Sequence, residues 1–275
     1  MTCMSKKVSR VIMVAVMACM CLIALFPFYM MVMMGTYKSN ELYKGLKLLP
    51  GNNLIENIKS LTKIRFPLYY FNSLFVAGAV ALLTVFVCAM AGYGISKYHF
   101  KGKQVITSII MMTMMIPTQL SLVGFAKEMV ILHWNNTLLP LIIPPVANAF
   151  GVFWMINYTK GSIPDAVIES AKLDGCGELD VFFRIALPFM KPACVTLGLI
   201  AFLSSWNSFL IPLIVISKES LYTLPLGIKQ LATQFRSDIG AQILGLTVAT
   251  IPILFFFGYF SDNLITGLAS AAVKE

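Results

Sequence analysis

The sequence predicts an all-α integral membrane protein: six transmembrane helices, with a cytoplasmic helix–bend–helix loop between spans four and five. Three observations carry that prediction. Hydrophobic residues make up 58% of the 275 and the mean hydropathy is +0.81, which is the composition of a membrane chain rather than a soluble globular one. Six apolar runs are each long enough to supply the roughly 20 helical residues that a bilayer core takes. Between the fourth and fifth runs stands a polar island, residues 159–191. In a chain only 12% charged, it gathers Lys160, Asp165, Glu169, Lys172, Asp174, Glu178, Asp180, Arg184 and Lys191. It belongs in water.

Taken in order, Lys6, Lys7 and Arg10 precede the first run, 11–34. A signal peptide would have an apolar core of about 7–15 residues and a small-residue cleavage site, so a retained first span with a cytoplasmic N-terminus is expected. Pro27 is expected to kink it. Residues 36–66 are polar and turn-rich around Pro50-Gly51-Asn52-Asn53, and are expected outside. The chain divides there: residues 1–66 hold the N-terminal end, first helix and external segment, and residues 67–275 form a core with five more helices. Six Lys or Arg in the external segment weaken a charge-based orientation, which therefore rests on the N-terminal cluster and the dense basic loop Lys97, Lys101, Lys103.

The second span is 71–95 and the third 104–125, rich in methionine and broken near Pro117; the methionines read as adaptable packing. A short amphipathic external stretch with Lys127, Glu128, His133 and Trp134 follows, the tryptophan suiting a membrane–water interface. The fourth span, 138–158, carries Pro140, Pro144, Pro145 and Asn148. Its freed backbone groups require neighbouring helices or a wet cavity. The fifth, 194–214, contains Ser204-Ser205-Trp206-Asn207-Ser208. Those side chains either hydrogen-bond across helices or line a solute pathway, and the two are compatible. The sixth is 241–260, followed by a cytoplasmic tail, so that both termini and residues 159–191 fall on the cytoplasmic side.

Within the polar island, Ser162-Ile163-Pro164-Asp165 reads as a helix start, with Ser162 as cap and Asp165 closing a capping box. Ile163, Ala166 or Val167, Ser170 and Asp174 share a face at helical spacing, and Ala166, Ser170 and Ala171 keep part of the surface small. Gly175 can take the left-handed conformation that ends a helix. A second short helix follows, apolar at Val181, Phe182, Ile185 and Ala186, and Leu187-Pro188 is expected to break it.

Glu169-Ser170-Ala171, then Asp174-Gly175-Cys176, then Ile185-Ala186-Leu187-Pro188 resemble the EAA loop of permease subunits in binding-protein-dependent ABC importers. Ser170 and Cys176 stand where that pattern has alanine, and both are small. Ser205-Trp206-Asn207, Tyr222-Thr223-Leu224-Pro225 and the stretch from Gly267 to Lys274 resemble the carbohydrate branch, of the maltose-permease type. The resemblance implies an assembly of this chain with a second permease subunit in a heterodimer, an ABC ATPase dimer and an extracytoplasmic solute-binding protein, within membrane lipid. It also implies that Glu169, Ser170, Ala171, Asp174, Gly175, Leu187 and Pro188 couple to the ATPase. Asn148, Ser205, Trp206 and Asn207 are the candidates for the translocation pathway. The solute implied is a sugar or oligosaccharide, moved by alternating access.

The net charge of +9 lies beside apolar runs, where it meets anionic headgroups, and no nucleic-acid partner is expected. Six cysteines show no C-x-x-C and His99 and His133 no ligand pattern, so neither disulfide framework, metal nor cofactor is expected. No Gly-x-x-x-x-Gly-Lys-Ser/Thr stretch cradles a nucleotide and no catalytic constellation stands out, which makes the chain a non-catalytic subunit whose ATPase is another polypeptide. All twelve acidic residues avoid the apolar centres, which argues against a proton-coupled carrier and leaves sodium coupling through backbone carbonyls as the open form of the alternative, an ion-coupled secondary transporter. A membrane scaffold without transport would need no kinked, polar-bearing spans.

Overall fold

The structure, a computed structural model, describes residues 2–234 and 238–272, with the side chains of 2–8, 118, 232–234 and 261–272 excepted. Val273 and Lys274, part of the stretch resembling the carbohydrate branch, lie outside the described residues, as do the side chains of Lys6 and Lys7. All regular structure among the described residues is helical. In chain order the α-helices are α1 Thr2–Met34, α2 Leu54–Lys63, α3 Phe66–Lys97, α4 Lys103–Thr113, α5 Leu122–Ile131, α6 Leu139–Val146 and α7 Ala149–Ser162. There follow α8 Asp165–Leu173, α9 Glu178–Asp180, α10 Leu187–Trp206, α11 Leu210–Val215, α12 Leu224–Gln234 and α13 Ile239–Ala272. Among the described residues five helical stretches are long and apolar enough to cross a membrane: Ser9–Met34, Phe66–Lys97, Leu139–Ser162, Glu178–Trp206 and Ile239–Phe260.

Three interruptions shape the helices, and each has a local cause. The break expected near Pro117 separates α4 from α5: Pro117 is extended (φ −61°, ψ 124°), and a short 3₁₀ turn, Thr118–Ser121, follows it. The fourth apolar run, expected as one helix, is two. Pro144 and Pro145 withdraw two backbone donors from the end of α6, and α7 restarts after Asn148, whose side chain accepts a hydrogen bond from the Gly151 N–H at 2.7 Å. The fifth run starts earlier and stops sooner than expected. α10 is continuous with the helical turns from Glu178, and it ends at Trp206, so that Asn207, Ser208 and Phe209 separate it from α11.

The chain packs as two units, Met1–Pro67 with Gly227–Ile251, and Leu68–Leu226 with Pro252–Glu275. In the first unit the buried Asn57 of α2 donates to the carbonyls of Gly35 (2.8 Å) and Tyr37 (3.0 Å) and accepts from Asn53 (2.8 Å). The stretch 36–66, expected outside, thus contains a helix with a buried polar anchor where composition suggested turns. In the second unit two buried clusters lie along α3. One joins Val76 and Val80 to Met129, Leu141, Ile142, Ala201, Val215 and Ile216. The other joins Cys88, Ala89 and Tyr93 to Met155, Ile163, Ile168, Ala171, Val181, Phe182, Ala186, Met190, Ala193 and Leu197, and it positions the polar island.

Candidate functional site

The polar island folds as helix, left-handed bend and second helix. Ile163 and Pro164 are extended (φ −115°, ψ 108° and φ −63°, ψ 137°), because proline fixes its own φ and biases the preceding residue away from the helical region. Asp165 then opens α8, where a carboxylate suits the positive end of a helix. Ser162 does not cap α8 as expected. The α7 ladder runs on until the Ile163 N–H donates to Thr159 (3.3 Å), so Ser162 closes α7, and Pro164 occupies the N-cap position of α8 without a side-chain hydrogen bond.

The far end of α8 follows the expectation closely. Gly175 has φ +82°, the Cys176 N–H donates to Ala171 (3.0 Å) and the Gly175 N–H to Lys172 (3.1 Å), which is the double bond of a Schellman turn. The faces of α8 differ from those expected. Ile163 precedes α8 and is buried, whereas Ala166, Ser170 and Asp174 are exposed. Ile168 and Ala171 turn into the buried cluster; Ala166, Glu169, Ser170 and Leu173, spaced i, i+3, i+4 and i+7, form the outward face, with Leu173 89% exposed.

After the bend, α9 passes into a π-helical turn, Val181–Ala186, and the Leu187 N–H donates five residues back to Phe182. Leu187-Pro188 therefore does not break the helix. A proline within a regular α-helix clashes with the carbonyl four residues before it; the wider turn carries that carbonyl out of the way and Pro188 sits in the first turn of α10. Leu187 packs against the cluster that buries Ala171, so the two ends of the EAA-like pattern meet in one core.

The basic loop expected to set orientation, together with its neighbour Tyr98, holds this element. The Lys97 ammonium, its side chain only 8% exposed, donates to the Ile163 carbonyl and pairs with Asp165 at 2.6 Å. The neighbouring Tyr98 hydroxyl donates to Glu178, which also pairs with Lys172 at 2.6 Å, while the Lys172 ammonium stands 5.1 Å from the Tyr98 ring centroid. Lys97 holds the Asp165 carboxyl below the usual carboxylate range, and the bond to Glu178 pushes the Lys172 ammonium above its ordinary value. Ser96 donates to the Ile156 carbonyl (2.9 Å), and Lys103 donates to the carbonyls of Ser96 and Tyr98 (both 3.1 Å). Apart from the local bonds of Lys103 and of Lys172 to Glu178, these partners lie 60 to 80 positions apart in sequence, so spacing carried no signal of them.

The pathway candidates stand at two helix ends. Asn148 is half-buried at the start of α7, where its carbonyl accepts the Cys88 thiol (3.6 Å). At the end of α10, Ser205 is half-buried, Trp206 is buried and stacks on Phe202 (5.6 Å) and edge-on to Tyr70 (5.5 Å), and Asn207 is exposed with its amide donating to Leu203. Trp206 is thus held as an aromatic packing element. A further device has no signal in sequence spacing: Asn136, at φ +58°, accepts the backbone N–H groups of Ser217 (2.6 Å) and Lys218 (2.9 Å) through its side chain.

Residues 84–270 match the family of binding-protein-dependent transport system inner membrane components. The chain belongs to that family. The resemblance carried by Glu169 to Pro188 is thereby borne out. Among its relatives, this inner membrane component is 36% identical over 210 residues to the arabinooligosaccharides transport system permease protein of Bacillus subtilis, covering 75% of this chain and 73% of that one. It is 28% identical over 269 residues to the lactose transport system permease protein of Rhizobium radiobacter, covering 98% of both. A crystal structure of a bacterial ABC transporter involved in importing the acidic polysaccharide alginate contains a chain of the same fold, with TM-score 0.79 at 20% identity over 94% of this chain and 97% of that one.

Proposed function

We propose that this inner membrane component is the permease subunit of an ATP-driven importer, passing a sugar or oligosaccharide from an extracytoplasmic binding protein into the cell by alternating access. The observation that carries the reading is α8: a helix closed by a Schellman turn, anchored inward by Ile168 and Ala171, with Glu169, Ser170 and Leu173 left facing outward. Such a face fits a cleft on an ATPase, and Glu169 and Asp174 offer carboxylates to its basic residues. Leu187 and Pro188 hand the motion to α10. The carbohydrate names of the relatives support the class of solute, and the alginate transporter, solved also with a pentasaccharide-bound periplasmic protein, supports a binding-protein partner.

In this reading the chain crosses the membrane six times. α4 and α5, with 11 and 10 residues, supply about 30 Å of helix at 1.5 Å per residue, enough for the remaining crossing. Both termini and α8 are cytoplasmic, and a second permease subunit completes the pathway. Asn148, Ser205 and Asn207 line it at helix breaks, where backbone groups can face water, with the buried Trp206 packed behind them. ATP hydrolysis belongs to the partner ATPase dimer.

The test is reconstitution with the cognate ATPase, second permease and binding protein in proteoliposomes. Sugar uptake is expected only with ATP and the loaded binding protein. Uptake by this chain alone, indifferent to ATP, would establish a secondary transporter instead. For topology, a lone cysteine at position 172, in a chain stripped of its native six, should resist an impermeant thiol reagent in intact cells; labelling from outside overturns the orientation.

A further inference from the structure

α8 has a pivot at each end. Before it, Ile163 and Pro164 are two extended residues where the α7 ladder has ended and that of α8 has yet to begin, and after it the chain bends at Gly175 and is again extended at Gly177 (φ −68°, ψ 160°). A helix slung between two pivots can tilt when pushed and leave its neighbours where they were. α7 and α10 are joined to it through those pivots, while α3 has no nearby chain connection to it. Yet consecutive residues at the end of α3 bridge both pivots. Lys97 takes the carbonyl of Ile163, inside the first pivot, and the carboxylate of Asp165, just past it. Tyr98 takes Glu178 beyond the second pivot, and Lys172 before it reaches both Glu178 and the Tyr98 ring.

The ends of these bridges are themselves held. Tyr98 lies edge-on to Tyr93 (5.8 Å), which packs on Phe182 (5.4 Å), and the Lys103 ammonium binds the last carbonyls of α3. The Lys97 side chain is nearly out of water, whereas its Asp165 partner is 77% exposed and that ion pair is screened; what costs is leaving the Lys97 ammonium without the Ile163 carbonyl and Asp165 as acceptors.

We propose that Lys97 and Tyr98 are positioning residues that lock both pivots of α8, so that a displacement imposed on α8 moves α3 together with α7 and α10. This rests on the reading of α8 as the ATPase-docking helix. The lock acts by rigidity rather than by contact with solute or nucleotide. Without it, the helix would yield at Ile163–Pro164 and at the bend, and ATP would be hydrolysed with less solute moved.

The experiment uses the full complex in proteoliposomes, comparing wild type with Lys97→Met, Tyr98→Phe, the double variant and Lys97→Arg. Solute moved per ATP is expected to fall by about fivefold or more in the double variant, the low end of ordinary coupling free energies, with ATPase turnover and subunit stoichiometry kept. Lys97→Arg, which can still serve two acceptors, is expected to restore it. Spin labels at positions 101 and 167, the latter on α8 but off its outward face, should keep one distance through the ATP cycle in wild type and spread in the double variant. Unchanged solute per ATP in the double variant overturns the lock. So does loss of the assembled complex in both single variants, which would show a folding role. A wild-type complex that imports normally while the variants match it leaves the transport reading standing and removes only the lock; a wild-type complex that hydrolyses no ATP removes both.

Discussion

Gly92 of α3 lies so close to Met155 of α7 that a Cβ added to it would stand 2.5 Å from the Met155 Cβ and 2.9 Å from its carbonyl carbon. The neighbour is backbone as well as side chain, so no rotamer change relieves the overlap. Gly92→Ala is expected to push α3 and α7 apart and destabilise the protein by about 1–3 kcal/mol, the usual cost of overpacking. Thermal unfolding in detergent, read by a thiol-reactive dye at the buried Cys88 with the other cysteines replaced, checks it. An unshifted transition would show that the two helices have slack at this crossing.

Gly175→Val should separate backbone conformation from packing. Nothing lies within 4 Å of a Cβ at this position, so the cost comes from φ +82° alone, about 1–2 kcal/mol for an L-residue and more for a β-branched one. The expected outcome is a complex that reaches the membrane and loses ATPase subunits or hydrolyses ATP without uptake. Gly175→Asn, which tolerates the left-handed region, should keep most of the function. Equal behaviour of the two variants in ATPase co-purification would refute a conformational role.

These two glycines mark how far the sequence could be read. The need for a positive φ at Gly175 is local, since Asp174-Gly175 after a helical pattern announces a left-handed cap. The closeness of Gly92 to Met155 depends on a neighbour 63 positions away, and no period reveals it. The same division runs through the site. The charge of residues 159–191 was legible as polarity, whereas neither the outward face that joins Glu169 and Ser170 to Leu173 nor the partners of Lys97 and Tyr98 were, because contacts between distant segments leave no spacing. Pro188 misled for a different reason: proline ordinarily stops a helix, and only the widened turn ahead of it lets the helix continue.

Asn148→Ala removes the N-cap of α7, and caps contribute about 0.5–2 kcal/mol. The helix is expected to fray at Ala149 and Phe150 and the variant to unfold at lower temperature, while Asn148→Asp keeps the acceptor and the stability. If the aspartate variant is as unstable as the alanine one, the side-chain oxygen is not what starts this helix.

Asn57→Ala leaves the Gly35 and Tyr37 carbonyls and the Asn53 amide without their partner in a buried site, at about 1–3 kcal/mol for each group left unsatisfied. Faster proteolysis within residues 36–66 is expected, measured on the purified protein with a non-specific protease. Cleavage at the wild-type rate would show that water replaces the lost bonds without cost.

The π-turn at Val181–Ala186 also sets the rotational phase of everything before it. One residue advances an α-helix by about 100°, and a turn that closes over five residues instead of four absorbs one extra residue without interrupting the rod. Deleting a single residue there would restore regular pitch, relieve no clash at Pro188, and swing α9 by about 100° about the helix axis. Val181 and Phe182 would leave the core and Phe183 would turn toward it, and Glu178 would rotate away from Tyr98. The chemistry of every side chain would be intact and the bearing of α8 and α9 wrong, so that on the proposed reading of α8 as the docking helix the length of this segment, and not its composition alone, governs transport.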